Sequence, residues 1–177
     1  MPKILLISDN HAWVDPAVLH HALWADEVWH AGDWLNIDLL KAIEAIPRPV
    51  RGVWGNADGT ELRQMFPENN KFILEGLKFW MTHIGGNPGR YNPKIKDDLF
   101  RNPPDVFICG HSHILKVGRD PKLKNMLCLN PGSCGLQGFH LMRTGLRFVV
   151  ENGKLTHLEI VEMGLKTDLK GPYPWEK

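Results

Sequence analysis

The chain has 177 residues, of which 43% are hydrophobic, and a formal net charge of +1. This length and apolar content predict one domain over residues 1–177, with its core at about 3–160 and a tail at 161–177. The near-neutral charge gives no strong signal for nucleic acid or for an anionic membrane surface. No apolar run approaches the roughly 18 residues of a membrane span, and no signal-peptide pattern precedes the first strand.

The cysteines favour a reducing compartment. Cys109, Cys128 and Cys134 are odd in number and lack Cys-x-x-Cys spacing. We therefore expect buried, reduced thiols and a cytoplasmic location.

The first third of the chain alternates strand and helix patterns. Continuous apolar runs predict strands at Ile4–Ile7, Glu27–His30 and Val50–Trp54. Helical spacing predicts a helix over Pro16–Ala25 and a second one capped by Asn36 and running through Ala45. This alternation indicates an α/β protein with a parallel sheet.

The middle and end of the chain introduce antiparallel pairing. Glu75-Gly76 predicts a hairpin between Lys71–Leu74 and Leu77–Thr82, and Asn152-Gly153 predicts another near the end. A glycine- and proline-rich loop at Ile84–Asn92 precedes a predicted helix at Pro93–Phe100. Further strands are predicted at Val106–Cys109, Ile114–Val117, Met126–Leu129, Leu146–Val150 and Leu155–Ile160. The proline-rich tail at Lys170–Trp175 is predicted to be disordered or to dock on a neighbouring subunit.

Two histidines follow the strand that ends at Cys109. His111 and His113 are separated by one residue and come after the turn residue Gly110. Imidazoles placed in this way could converge on one metal ion or on two neighbouring ions. A structural or incidental role is the alternative for an isolated His-x-His pattern.

Other metal-competent side chains occupy equivalent places. Five apolar strands are each followed, within one to four residues, by such side chains: Asp9 and His11, Asp33, Asn56, His83, and His111 with His113. Ligands of open α/β sheets bind beyond the carboxyl ends of the strands. Taken singly, the aspartates could cap turns, His83 could be a core residue and Asn56 could form an Asx-turn. Together they favour a metal site at one end of the sheet.

The ordered motifs resemble those of the calcineurin-like metallophosphoesterases. They are Asp9-x-His11, Gly32-Asp33, Gly55-Asn56-x-Asp58, His83 and Gly110-His111-Ser112-His113, over about residues 3–160. The short chain and the later Asn130-Pro131-Gly132-Ser133 are most similar to the small bacterial and archaeal phosphodiesterase branch. The resemblance implies a four-layer αββα sandwich, in which two packed mixed β-sheets are flanked by helices.

The resemblance also implies a dinuclear metal centre. One ion is expected to be held by Asp9, His11, Asp33 and His113, and the other by Asp33, Asn56, His83 and His111, with Asp33 bridging. Nitrogen and oxygen ligands without thiolate suit Mn, Fe, Zn, Co or Ni, and Mn is favoured here. Two divalent ions, two carboxylates and one hydroxide leave a charge of about +1, which attracts a phosphodiester anion.

The implied reaction is hydrolysis of small or aryl phosphodiesters by water or hydroxide that the two metals activate. The catalytic residues are expected to be Asp33, Asn56, His83 and His111. Asn56 and Arg90 are candidate substrate contacts, and Arg143 is a further candidate; a solvated surface role is the alternative for each of the two arginines. Ser112 and Ser133 lack an evident base and are not expected to act as nucleophiles.

This sequence departs from the family pattern beside the metal-ligand asparagine. Many relatives have a histidine there that helps to protonate the leaving group, whereas this chain has Ala57. We therefore expect good leaving groups to be favoured, because general acid catalysis typically contributes about 10²–10⁴-fold. Asp58 is expected to be a turn or supporting residue, with proton transfer as an alternative, and His30 a packing or supporting residue.

Two functions other than phosphodiester hydrolysis by a small phosphodiesterase are compatible with this resemblance. The retromer subunit Vps29 has the fold that the resemblance implies and acts as a protein-binding scaffold, so the fold alone does not establish catalysis. A nuclease is a further alternative, which the neutral charge disfavours. Family habit and the seven tryptophans suggest a homodimer or homotetramer.

Overall fold

The computed structural model describes residues 1–169. The predicted tail at Lys170–Trp175 lies outside them. Two five-stranded mixed sheets form the body of the molecule. The first has the order β12-β11-β1-β2-β3 and consists of β1 (Lys3–Ile7), β2 (Glu27–His30), β3 (Val50–Gly52), β11 (Met142–Glu151) and β12 (Lys154–Leu165). Its strands β1, β2 and β3 are parallel, while β11 and β12 are antiparallel to their neighbours.

The second sheet has the order β4-β5-β8-β10-β9. Its strands are β4 (Asn69–Leu74), β5 (Leu77–Thr82), β8 (Val106–Ile108), β9 (Leu115–Asp120) and β10 (Met126–Pro131). The central strands β5, β8 and β10 are parallel, and the edge strands β4 and β9 are antiparallel. The helices are α1 (Pro16–Trp24), α2 (Asp38–Glu44), α3 (Thr60–Met65) and α4 (Pro93–Arg101), with a 3₁₀ turn at Pro121–Leu123.

Alternation along the buried strands produces the layers. In β1, Ile4 and Leu6 join the core between the two sheets, whereas Leu5 and Ile7 pack on the other face with α1 and α2. In β8, Phe107 faces α4 on the outer side of the second sheet. This period of two follows from strand geometry, and covering both faces explains the continuous apolar runs. The expected α/β fold, with two packed mixed sheets flanked by helices, is confirmed.

Several local predictions need correction. Asn36 does not cap α2, because the helix begins at Asp38 and Ile37 is its N-cap residue. A cap at Asn36 would have placed the first helical residue at Ile37. The Asn36 side chain instead accepts a hydrogen bond from the Asp38 backbone N–H at 3.1 Å. The helix α3 was not predicted, since it has six residues and buries only Leu62. Within the predicted loop at 84–92 a short hairpin forms from β6 (Gly86–Asn87) and β7 (Arg90–Tyr91). The last strand also continues to Leu165, five residues past the expected end of the core.

Arg143 is neither a phosphate contact nor a surface residue. It is fully buried in β11 and forms an ion pair with Asp15, which is also fully buried. Its guanidinium also donates to the Met163 carbonyl at 2.7 Å. Asp15 caps α1 by accepting from the Ala17 N–H at 2.9 Å, and burial raises the pKa of its carboxyl group. The pair therefore fastens α1 to the β11–β12 hairpin.

Removing one partner of this pair should destabilise the protein strongly. We expect Arg143→Met to lower the free energy of unfolding by about 3–5 kcal/mol, because a buried carboxylate is left without its counter-ion. The control is Arg147→Met in the same strand, whose partly exposed pair with Glu159 should contribute less than about 1 kcal/mol. Urea unfolding measures both, and equal stabilities for the two variants would contradict the prediction.

Candidate metal centre

The predicted ligands lie where the carboxyl ends of the parallel strands meet. The loops after β1, β2, β3, β5 and β8 carry them, so strands from both sheets contribute to one site. Two groups of side chains bring their ligand atoms within 4.8 Å of one another: Asp9, His11 and His113 form the first triad, and Asp33, His83 and His111 the second.

Distances inside each triad suit metal coordination. In the first, the Nε2 atoms of His11 and His113 are 3.2 Å apart, and His113 Nε2 is 3.2 Å from Asp9 Oδ1. In the second, His83 Nε2 is 3.2 Å from Asp33 Oδ2. Two ligand atoms bound at about 2.1 Å and at angles near 90–109° lie about 3.0–3.4 Å apart. These three pairs therefore have the spacing of donors that share one ion, and the remaining donors of each triad lie within 4.8 Å.

The two aspartates lie between the triads. Asp33 Oδ2 is 3.2 Å from His83 Nε2 and 3.8 Å from His11 Nε2, which belongs to the other triad. Asp9 Oδ1 is similarly 3.2 Å from His113 Nε2 and 3.8 Å from His83 Nε2. A carboxylate in such a place can join two ions, as expected of Asp33, and on these distances Asp9 is equally well placed.

Two of the innermost atoms have no hydrogen-bond partner among the described residues. Asp9 Oδ1 and His83 Nε2 are buried, yet neither forms a hydrogen bond. Each of them instead has an ion-pair contact at 3.2 Å inside its triad, Asp9 Oδ1 with His113 Nε2 and His83 Nε2 with Asp33 Oδ2. Both atoms are typical metal donors and both point to the centre of the site, so the residues present fit a pair of bound cations.

Hydrogen bonds aim the ligands. The Nδ1 atom of His83 lies 2.7 Å from the Ala31 carbonyl, which directs its Nε2 atom toward the aspartates. Asp9 Oδ2 accepts from the Ser8 hydroxyl at 2.6 Å and from the His111 backbone N–H at 3.1 Å, so its other oxygen is left for a cation. In each case the supporting bond selects the atom that faces the site.

Asp58 supports the site from behind. Its carboxylate accepts from the backbone N–H groups of Asp33 at 3.1 Å, Leu35 at 2.7 Å and Gly55 at 2.7 Å. The Ala57 N–H in turn donates to Asp33 Oδ1 at 2.8 Å. Asp58 thus joins the loops after β2 and β3, in agreement with the expected supporting role.

The ligand loops are strained. Five of the seven predicted ligands have φ in the left-handed region: Asp9 (55°), His11 (44°), Asp33 (60°), His111 (67°) and His113 (56°). Each such residue costs roughly 1–3 kcal/mol and persists only where the surroundings hold it, a pattern that clusters at functional sites. Gly110 is also required, since a Cβ there would lie 2.1 Å from Ser8 Oγ and 2.8 Å from Asp9 Oδ2.

The motif Asn130–Ser133 supports these loops rather than the reaction. The Asn130 amide donates to the Gly110 carbonyl at 2.8 Å and to Ser112 Oγ at 3.1 Å. The Ser133 hydroxyl is fully buried and donates to the Asp9 carbonyl at 2.9 Å. Both serines are therefore engaged in holding the metal-binding loops.

The histidines differ in their pKa. Burial lowers the pKa of His11 and His111, which are therefore neutral and able to bind a cation at pH 7. The Asp9 carboxylate raises the pKa of His113. Burial lowers the pKa of His83, but the nearby carboxylates of Asp33 and Asp9 outweigh it and raise the pKa overall.

The remaining candidates lie at different distances from the triads. Asn56 is exposed, lines a cleft together with His83, and makes no hydrogen bond to the described residues through its amide. Arg90 is exposed in β7 and does not line that cleft, so its substrate role stays a prediction. His30 is fully buried, stacks on Trp34 and lies 3.0 Å from Asn10 Oδ1, which is the expected packing role.

Sequence analysis missed the loop that follows β10. His140 packs edge-on against His113, with ring centroids 5.4 Å apart. A Cβ added at Gly138 would lie 2.2 Å from His113 Nδ1, so this glycine is in direct contact with the ligand. No strand end or ligand spacing marks these residues, and only the tertiary structure reveals them.

Comparisons with known proteins identify the family. Residues 2–153 match the calcineurin-like phosphoesterase superfamily domain. The chain belongs to the calcineurin-like phosphoesterase superfamily, and the resemblance seen in its motifs is confirmed. Over 147 residues it is 29% identical to phosphodiesterase MJ0936 of Methanocaldococcus jannaschii, covering 75% of this chain and 84% of that protein.

Solved structures show the same fold. Vps29 of Chaetomium thermophilum has a TM-score of 0.70 and 14% identity, covering 93% of this chain and 99% of that one. Wild-type Vps29 of Entamoeba histolytica complexed with Zn²⁺ has a TM-score of 0.68 and 18% identity, and the match covers 92% of this chain and 99% of that one. Within residues 1–169, every helix is too short or too polar to cross a membrane.

Ligand substitutions should separate the two triads. Asp33→Asn should reduce the bound metal at both positions, because its Oδ2 atom lies beside donors of both triads, whereas His11→Ala should mainly affect one. Metal content per chain after dialysis, measured by mass spectrometry, checks this. The control is Asp98→Asn, an exposed carboxylate paired with Lys71. Full metal content in Asp33→Asn would contradict the prediction.

Metal affinity should rise with pH between about pH 6 and pH 8. His83 and His113 have pKa values above the usual 6.5, so they keep their protons over part of this range in the metal-free protein. A proton on Nε2 competes with a cation, and this competition fades as pH rises through the raised pKa values. Titration against a colorimetric chelator at several pH values measures the effect, and a pH-independent affinity would argue against it.

Proposed function

We propose that the protein is a metal-dependent phosphodiesterase that hydrolyses small or aryl phosphodiesters with an activated water as nucleophile. The observation that carries the proposal is the pair of His/Asp triads, whose aspartate oxygens lie between them. One ion would be held by Asp9, His11, Asp33 and His113, and the other by Asp33, Asn56, His83 and His111. The relative MJ0936, named a phosphodiesterase, supports the choice of substrate.

Two divalent ions bound here supply positive charge for the phosphate group and make water acidic enough to lose a proton near neutral pH. The chain contributes two buried carboxylates, which leave an excess of positive charge. Asn56 adds an oxygen ligand without consuming that charge. His111 and Asn56 are both exposed, so they line the open side of the site where a phosphodiester would arrive.

Among residues 1–169, the serines and thiols near the candidate ligands are poorly suited to act as nucleophiles. Ser112 and Ser133 are held by the hydrogen bonds described above. Cys109, which precedes Gly110 in the loop after β8, is buried, and burial raises its pKa to about 12, so it stays protonated. Burial also raises the pKa of Cys134. Attack by water is therefore the reaction that fits these residues.

No side chain at position 57 can donate a proton to the leaving group. Ala57 follows the ligand Asn56, and the carboxylate of Asp58 is taken by three backbone N–H groups. The rate should therefore depend steeply on the acidity of the leaving alcohol. Aryl esters, whose leaving groups need no proton, should be much better substrates than alkyl esters.

A non-catalytic scaffold is the second candidate, favoured by the fold shared with Vps29. A Vps29 has been seen with Zn²⁺, so bound metal alone does not distinguish a scaffold from an enzyme. Only turnover separates the two functions.

The test is hydrolysis of bis(4-nitrophenyl) phosphate with added Mn²⁺. We expect turnover that a chelator abolishes and that added metal restores. Methyl 4-nitrophenyl phosphate, assayed for release of methanol as well as nitrophenol, should lose the aryl group at least about 10²-fold faster than the alkyl group. His113→Ala should reduce turnover, and Asp98→Asn should not.

Metal binding without turnover would favour the scaffold. Equal release of the aryl and alkyl groups would mean that some group other than residue 57 supplies the proton.

A further inference from the structure

A cleft with cationic walls opens beside the second triad. Its volume is about 260 Å³, and Asn56 and His83 form one wall of it. Trp54, Arg63, Lys94 and the acidic Glu68 also line it. The cleft is smaller than the roughly 300–1,000 Å³ of typical small-molecule pockets, so it suits one ring-sized group beyond the phosphate.

Among the residues that line this cleft, Arg63 is held in position by its neighbours. Its Nε atom donates to the Asp58 carbonyl at 2.8 Å, and its guanidinium carbon lies 4.3 Å from the centre of the Trp54 ring. Among residues 1–169, no carboxylate lies within ion-pair distance of it, including that of Glu68 in the same cleft. Stacking and one hydrogen bond fix the plane of the group, while its two terminal amino groups are left for a ligand.

Lys94 provides a second positive charge. It lies in the first turn of α4, where its backbone N–H donates to the Asn92 side chain at 3.0 Å. Lys94 is exposed and is one of the residues that line the cleft. No ion pair of Lys94 with the described residues exists within 4.0 Å. Two cations and one carboxylate give the cleft a net positive charge.

We propose that this cleft binds a second anionic group of the substrate, a carboxylate or phosphate on the organic part of the phosphodiester, and that Arg63 is the main specificity residue. This inference rests on the proposed phosphodiesterase function and names its substrate class. A guanidinium whose plane is fixed pairs well with a carboxylate or phosphate through two parallel hydrogen bonds. Because Asn56 and His83 line the same cleft, an anion held there would belong to the organic part of a phosphodiester bound at the candidate metal centre.

Two matched substrates test the proposal. One is phenyl 4-nitrophenyl phosphate, and the other carries a 4-carboxyphenyl group in place of phenyl. The ratio of their kcat/KM values cancels effects on the shared chemistry. Arg63→Gln should lower the preference for the carboxylate substrate about five- to tenfold, a modest value because the site is partly solvated. Lys94→Gln should change it in the same direction by a smaller factor.

The control is Arg101→Gln, which removes a cation from the other end of α4 and should leave the ratio unchanged. Calorimetric binding of phenylphosphonate and 4-carboxyphenylphosphonate gives a second readout that needs no turnover. The carboxylate form should bind more tightly, and Arg63→Gln should remove that advantage.

The outcomes distinguish the two proposals. An unchanged ratio in Arg63→Gln and Lys94→Gln, with turnover of the phenyl diester retained, would overturn the anion cleft and leave the phosphodiesterase function standing. Absence of metal-dependent turnover with either substrate would overturn both. A large loss of turnover in Arg63→Gln that is equal for the phenyl and the 4-carboxyphenyl diester would show that the residue only supports Asp58, and would also overturn the cleft.

Discussion

Backbone hydrogen bonds that continue past the strand ends hold the metal-binding loops together. The Asp9 N–H donates to the Gly32 carbonyl at 3.0 Å, and the His11 N–H donates to the Asp33 carbonyl at 3.1 Å. In the other sheet, the Gly110 N–H donates to the His83 carbonyl at 3.0 Å. These bonds join neighbouring loops while the chain turns into left-handed conformations. The positions of the ligands depend on them, because a free loop would relax out of those conformations.

The metal-free site is costly to maintain. Five ligand residues have positive φ at roughly 1–3 kcal/mol each, and the buried Asp9 Oδ1 and His83 Nε2 atoms form no hydrogen bond to the described residues. Together these costs are comparable with the whole stability of a domain, about 5–15 kcal/mol. The two-sheet core and buried pairs such as Asp15–Arg143 must offset them. Bound cations would satisfy both orphaned atoms, so metal binding should also stabilise the fold.

The sequence predicts the regular parts of the structure well, because their causes are local. Apolar runs located the strands, and the side chains after them located the triads, since parallel strand ends meet at one edge. Features that depend on distant contacts were missed. Arg143 looked like a surface residue because its partner, Asp15, is 128 positions away. The sequence around His140 has no motif that marks a functional residue, since only the folded chain brings its ring against His113. The helix α3 is short, and its position depends on the packing of Leu62 with Trp34 and Leu40.

The fold supports both catalytic and scaffold proteins, so the difference must lie at the open rim of the site. The inner ligand residues are needed to bind cations in an enzyme and equally in a scaffold that retains bound metal. They therefore do not distinguish the two functions. At the rim, this chain has side chains that a site for binding metal alone would not need. Asn56 and His111 are exposed at this rim. Asp58 accepts a hydrogen bond from the Asp33 backbone N–H through its carboxylate and one from Arg63 through its carbonyl, so it holds both residues in place. The Arg63 guanidinium lines the cleft together with Asn56, stacks on Trp54 and, among residues 1–169, has no carboxylate within ion-pair distance. It is best explained by a substrate that reaches from the metal centre into the cleft.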